Sequence, residues 1–239
     1  MKNIFLTLFV SLLLVEGLAQ AQNKIDSLEN VLKNDLHDST RLKVLLALSK
    51  LTQYVDFARS RQYTDESLLL AEKLDDPALK VLAYQSKAVM LTSSGDYSAA
   101  MKYDNLSLEN DIILKDSTMI SRDYNNIGND YYDLGEYDDA FFYFTQSHRI
   151  ATAVQDTFRM LVAYHNVGRV FKELGQYEVA LDHLNLAKKM SQQQNDEEGI
   201  PYAYDEIGDV QLRKQEYDSA LSTLFSALRH SRRLNVNLL

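Results

Sequence analysis

The chain has 239 residues, with 25 Lys and Arg against 34 Asp and Glu, a formal net charge of −9, and neither Cys nor Trp. That balance argues against nucleic acid and anionic membrane surfaces as partners, since both are held by clustered cations. With no thiols, disulfides, thiolate metal sites and cysteine nucleophiles are all excluded.

At the amino end, Lys2 precedes an apolar or small-polar run from Ile4 to Val15, and Ala19-Gln20-Ala21 supplies small residues. This pattern predicts a secretory signal peptide over 1–21, cleaved before Gln22. The run is broken by Glu16, well short of the roughly 20 apolar residues a membrane span needs, so no membrane insertion is expected after cleavage. No Cys follows it to carry a lipid anchor. The expected location is exported, periplasmic or otherwise extracytoplasmic.

Ile25, Leu28 and Leu32 then repeat at helical spacing, which predicts a capping helix and loop over 22–39. Beyond them a forty-residue interval governs the chain. Tyr84, Tyr124, Tyr164 and Tyr204 keep it, as do Tyr97, Tyr137, Tyr177 and Tyr217, and Ala100, Ala140, Ala180 and Ala220. In the copy from Ser117 to Val154, apolar positions run from Met119 to Leu134, break at Gly135-Glu136 and resume at Tyr137, which reads as a helical hairpin. Five hairpins are expected, over about 40–76, 77–116, 117–156, 157–196 and 197–236. The first is degenerate, with Val55 at the turn glycine and Ser60 at the alanine column.

Gly95, Gly135 and Gly175 stand where a left-handed helix end is easiest without a side chain. Gly128, Gly168 and Gly208 instead fall inside first helices, each at a cost of about 1 kcal/mol relative to Ala. Their recurrence predicts close backbone approach between paired helices. Asp75-Asp76-Pro77, Asp116-Ser117, Asp156-Thr157 and Asn195-Asp196 supply cap chemistry between hairpins. Each hairpin alone is too small to enclose a core, so stacking on its neighbours must complete it. The fold class expected is all-α: a right-handed superhelical solenoid of five hairpins behind one capping helix.

Tyr124, Gly128, Tyr131, Gly135, Tyr137, Ala140 and Phe144 together resemble the tetratricopeptide repeat family, and Tyr164, Gly168, Phe171, Gly175, Tyr177, Ala180 and Ala187 repeat the pattern. The last copy keeps Tyr204, Gly208, Tyr217, Ala220 and Ala227 but has Gln215 at the turn. The family's usual period is about 34 residues, so this is a longer variant, similar to the repeat regions of exported sensor and regulator proteins. The resemblance implies a concave groove lined by the outer side of each first helix. By register that selects Gln85 and Val89, Asn125, Asn129 and Tyr132, His165, Arg169 and Lys172, and Tyr202, Asp205 and Asp209, with Asn126 and Asn166 flanking.

On this reading Asn125, Asn129 and Asn166 hydrogen-bond a peptide backbone, since an amide both donates and accepts, while Tyr132 and Tyr202 anchor a side chain. The competing reading is a solvated helix face. The family's clamp for a terminal carboxylate is not expected: Asn129 and Asn166 hold its asparagine places, but Asn125, Tyr202 and Glu206 stand where cations are required, and Asp205 and Asp209 would repel the ligand.

No reacting constellation is evident. His37, His148, His165, His183 and His230 show no metal-ligand spacing, so neither metal nor cofactor is expected. The acidic pairs Asp138-Asp139 and Glu197-Glu198 suit helix starts better than acid–base work. Arg229, His230, Arg232 and Arg233 complement the negative end of the last helix. The expected function is a non-enzymatic, exported scaffold that binds a protein or peptide, with no nucleic acid partner. The alternatives are the extracytoplasmic sensory region of a longer membrane-bound histidine kinase or transcriptional regulator, and, least favoured, an enzyme. Asn235 to Leu239 reads as the start of another first helix, leaving the last hairpin open to self-association or a partner.

Overall fold

The structure, a computed structural model, describes residue 20 and residues 22–237. The signal-peptide reading of 1–21 therefore falls, Gln20 apart, outside the described residues. Those described are helical throughout, without strands: α1 (22–32), α2 (Asp38–Thr52), α3 (Phe57–Leu74), α4 (Pro77–Ser93), α5 (Tyr97–Leu114), α6 (Ser117–Asp133), α7 (Tyr137–Ala153), α8 (Thr157–Glu173), α9 (Tyr177–Gln194), α10 (Gly199–Arg213) and α11 (Tyr217–Asn237).

Local chemistry sets these boundaries. Asp56, Asp76, Asp116 and Asp156 cap α3, α4, α6 and α8, their carboxylates accepting first-turn amides such as Arg159 N at 3.0 Å. Pro77 occupies the first turn of α4, where its missing N–H costs nothing. Gly95, Gly135 and Gly175 take φ of +79°, +79° and +73° at the hairpin turns, and Gln215 takes +64° at the same point of the last copy. The chain between Asn195 and Gly199 is longer than a simple cap, and Asp196 reaches forward to accept the Gly199 amide at 3.0 Å.

The chain divides into two compact units, Met1–Asn110 and Asp111–Leu239. In the first, α2, α3 and α4 close around Leu42, Ala71, Leu79 and Ala83, and Met90, Leu91 and Ala100 join α4 to α5. Ile25 of α1 is buried, as a capping helix requires, and Glu29 of the same helix is bound by Arg59 and Tyr63 of α3. In the second unit α6 pairs with α7, α8 with α9 and α10 with α11, and each hairpin packs on the next through α7 against α8 and α9 against α10. Ala140, Phe144, Val167 and Val170 form one core layer, and Ala180, Leu184, Ile207 and Val210 the next. Neighbouring hairpins thus complete each other's interiors.

The interior glycines lie against the paired helix, where each makes room for a side chain. A Cβ on Gly128 would lie 2.7 Å from the Phe144 ring, one on Gly168 2.7 Å from Leu184 Cγ, and one on Gly208 2.6 Å from Leu224 Cδ2. Each glycine seats the large side chain sixteen residues later on the paired helix. At Gly168 backbone is close as well, with the Ala180 carbonyl 3.2 Å from that Cβ. The column compensates in size, from Leu48 with Thr64 to Gly128 with Phe144.

Two sequence expectations change. Asn235 continues α11, which runs unbroken to Asn237, because no Gly or Pro interrupts it. Tyr217 is 64% exposed, whereas Tyr137 and Tyr177 pack into layers completed by the following first helix.

A candidate binding face on the first helices

In the second unit α6, α8 and α10 lie side by side, since α8 contacts both of the others. Residues one period apart therefore sit across a helix junction, and a chain of polar side chains crosses the face. Asn166 Nδ2 donates to Asn125 Oδ1 at 2.7 Å. Arg169 donates to Asn166 Oδ1 at 3.2 Å and to Asn129 Oδ1 at 3.5 Å, with its guanidinium 4.1 Å from the centre of the Tyr132 ring. The stacked geometry adds cation–π attraction to the hydrogen bonds. Tyr132 Oη donates to Glu173 Oε1 at 3.3 Å, and Glu173 receives Arg213 through two 3.0 Å bonds.

Lys172 is the centre of the charged part. Only 6% exposed, it reaches Glu206 at 2.6 Å, Asp209 at 2.8 Å and Glu173 at 3.5 Å. Burial works against its charge, but the bonds to Asp209 and Glu206 outweigh that and raise its pKa above the ordinary lysine value. The same contest runs in Asp209, where Lys172 and Arg213 overcome burial and hold the carboxylate below its usual range. Asp205 lacks such help. Burial first, and Glu206 second, push it up.

The selected residues thus divide. Asn125, Asn129, Tyr132, His165, Asn166, Arg169 and Lys172 are brought together, and Asp209 joins them through Lys172. Tyr202 is 66% exposed and Asp205 is exposed beside them on α10. Gln85 lies in the other unit, donating to Ser107 Oγ at 3.1 Å, with Val89 exposed on the same helix. Asn166 is not a free amide on a solvated face: it is 5% exposed and already bonded. Nor is Asp209 an uncompensated repulsive charge, since two cations hold it.

Glu173 and Arg213, which bridge neighbouring helices, are the residues sequence reasoning left out. Their signal was available, because they are opposite charges one forty-residue period apart. Among the described residues no cluster of three His, Asp or Glu side chains is placed to hold a metal ion, and no helix is long and apolar enough to cross a membrane.

On α11, Leu221, Phe225 and Leu228 are exposed. One copy earlier, Leu181 belongs to the layer that α10 closes; two copies earlier, Phe141, Thr145 and His148 line a cavity over α8. That face of α11 has the composition of one built to receive another helix.

Tandem hairpins whose first helices share a polar face define a helical repeat scaffold. Residues 121–193 match the family model described as tetratricopeptide repeat, and that span carries the repeat's paired helices. Among curated proteins none matches the chain. Solved structures similar in fold include BtubC from P. vanneervenii, with 18% identity and TM-score 0.70 over 91% of this chain and 90% of that one. A signal-transduction ATPase with a tetratricopeptide repeat sensor, from Pyrococcus horikoshii, matches at 14% identity and TM-score 0.70, over 90% of this chain and 38% of that one. A Rap protein complexed with competence and sporulation factor matches at 16% identity and TM-score 0.66, over 92% of this chain and 72% of that one.

Proposed function

We propose that the protein is an exported, non-enzymatic scaffold that binds a peptide or protein segment across the joined face of α6, α8 and α10. The observation carrying this is the polar chain from Asn125 to Arg213, held in place by contacts between adjacent helices before any partner arrives. Holding polar groups in position beforehand lowers the ordering cost of binding, which is how a preformed surface gains affinity. Asn129, only half buried and weakly engaged at 3.5 Å, and the exposed Tyr202 are the groups best able to turn to a ligand. The Rap structure with its bound factor and the ATPase with a repeat sensor support a binding and signalling role by likeness of fold. Export rests on the sequence pattern of 1–21. Self-association, where it occurs, uses the exposed apolar face of α11.

The test begins with a peptide selected from a displayed library on the mature protein, its affinity then measured calorimetrically. Changing Asn129 and Arg169 together to Ala should weaken that peptide at least tenfold, by removing both the amide and the guanidinium stacked on Tyr132. Helical circular dichroism should be retained. Equal affinity for the double variant would show that the peptide binds elsewhere.

A further inference from the structure

One stripe of α11 departs from its counterparts. Asp218, Leu221, Phe225, Leu228 and Arg232 follow one another at alternating steps of three and four residues, and so share one face of the helix. In α7 the same register holds Asp138, Phe141, Thr145, His148 and Thr152, and in α9 Glu178, Leu181, Asn185, Lys188 and Gln192. Both of those stripes meet the next first helix. Phe141 packs edge-on against Phe171 with ring centres 5.5 Å apart, and His148 meets Tyr164 at 4.6 Å. Leu181 joins the layer of Ile207 and Val210, and Lys188 lies 5.0 Å from the centre of the Tyr204 ring.

On α11 the polar middle of the stripe is replaced by Phe225 and Leu228, and its neutral last position by Arg232, with Arg233 beside it. The more apolar stripe is also open: Leu221, Phe225 and Leu228 are 57%, 56% and 44% exposed. Its composition differs from the one that first helices of this chain meet at earlier junctions, and apolar area of this kind gains by being covered. Among the described residues no ion pair is made by Asp218, Arg229, Arg232 or Arg233. The order of these charges selects the occupant. The stripe is acidic at its start and basic at its end, so two copies laid side by side in the same direction would set arginine against arginine. Run in opposite directions about a two-fold axis near Phe225, the Asp218 of each copy lies beside the basic end of the other, and the apolar residues between them close on one another. One surface that carries both halves of its own match is the requirement for a two-fold contact.

We infer that the protein forms a two-fold homodimer by antiparallel pairing of α11 with the α11 of a second copy, Leu221, Phe225 and Leu228 forming its centre and Asp218 and Arg232 fixing its direction. The pairing rests on the self-association reading of α11, to which it gives a partner and a geometry, and on nothing in the peptide face.

Sedimentation equilibrium of the mature protein should give twice the mass of one chain. Phe225→Glu, a substitution at an exposed position that should keep the helical circular dichroism, should yield a monomer that still binds the selected peptide with full affinity. Asp218→Arg and Arg232→Glu should each weaken dimerisation about tenfold. An equimolar mixture of those two variants should recover it, because both end contacts of the mixed dimer again join opposite charges. A chain that stays monomeric at about 50 µM, a dimer that survives Phe225→Glu, or charge variants whose mixture shows no recovery would overturn the pairing. Assemblies growing beyond two copies would do the same, since they mark a head-to-tail contact that does not close. The two readings fail separately: a monomeric unaltered chain whose peptide affinity is still lost in the Asn129 and Arg169 double variant sinks the dimer and keeps the groove.

Discussion

Gly168→Leu is expected to lower stability by about 2–3 kcal/mol, seen as a fall of roughly 1 M in the urea midpoint. The helix itself would gain, since Gly is among the worst helix formers and Leu among the best, a difference of about 0.8 kcal/mol. Packing outweighs that gain. A Cβ at this position lies 2.7 Å from Leu184 Cγ, 2.9 Å from its Cδ2 and 3.2 Å from the Ala180 carbonyl. Leu184 is fully buried and Ala180 O is backbone, so neither can step aside cheaply. Combining Gly168→Ala with Leu184→Ala gives the control: the smaller partner admits the Cβ, so the double variant should lose less than the two single variants summed. An unchanged midpoint for Gly168→Leu would mean that α8 and α9 do not pair as described.

Phe144→Ala should cost more, about 3–5 kcal/mol, and lower the melting temperature by on the order of 10 °C. The ring is wholly buried and belongs to the layer that joins α7 to α8. Removing it opens a cavity against Gly128, which has no side chain to fill the space. The loss should also reach the binding face, because Tyr131 and Tyr132 of α6 pack on the same layer and Tyr132 supports Arg169. A drop below about 2 °C in a thermal scan would be incompatible with a core shared between hairpins.

The repeat was the most legible part of this chain. Tyrosine, alanine and glycine recurring every forty residues specified paired helices, and the turn glycines take the positive φ that their position demanded. What each helix face does was harder to see, because a polar letter does not reveal its partner. Asn166 looks in sequence like an available amide, but the α6 and α8 junction buries it against Asn125. Asp209 looks like a repulsive charge, yet Lys172 and Arg213 neutralise it. Both partners lie on another turn or another helix, beyond the reach of a local reading, although Glu173 and Arg213 show that pairing one period apart can be found by comparing copies. The interior glycines were recognised as a packing device, but their guest, a side chain sixteen residues on, becomes clear only once the helices are paired. The carboxyl end misled for a simpler reason: without Gly or Pro, nothing in Leu234 to Asn237 marks where α11 continues.

Hydrogen exchange of the mature protein with and without the selected peptide tests the central claim most directly. Binding across the first helices predicts that added protection gathers on α6, α8 and α10, centred on Asn129, His165 and Tyr202, while α7 and α9 exchange as before. Protection confined to α7, α9 or α11 would contradict it.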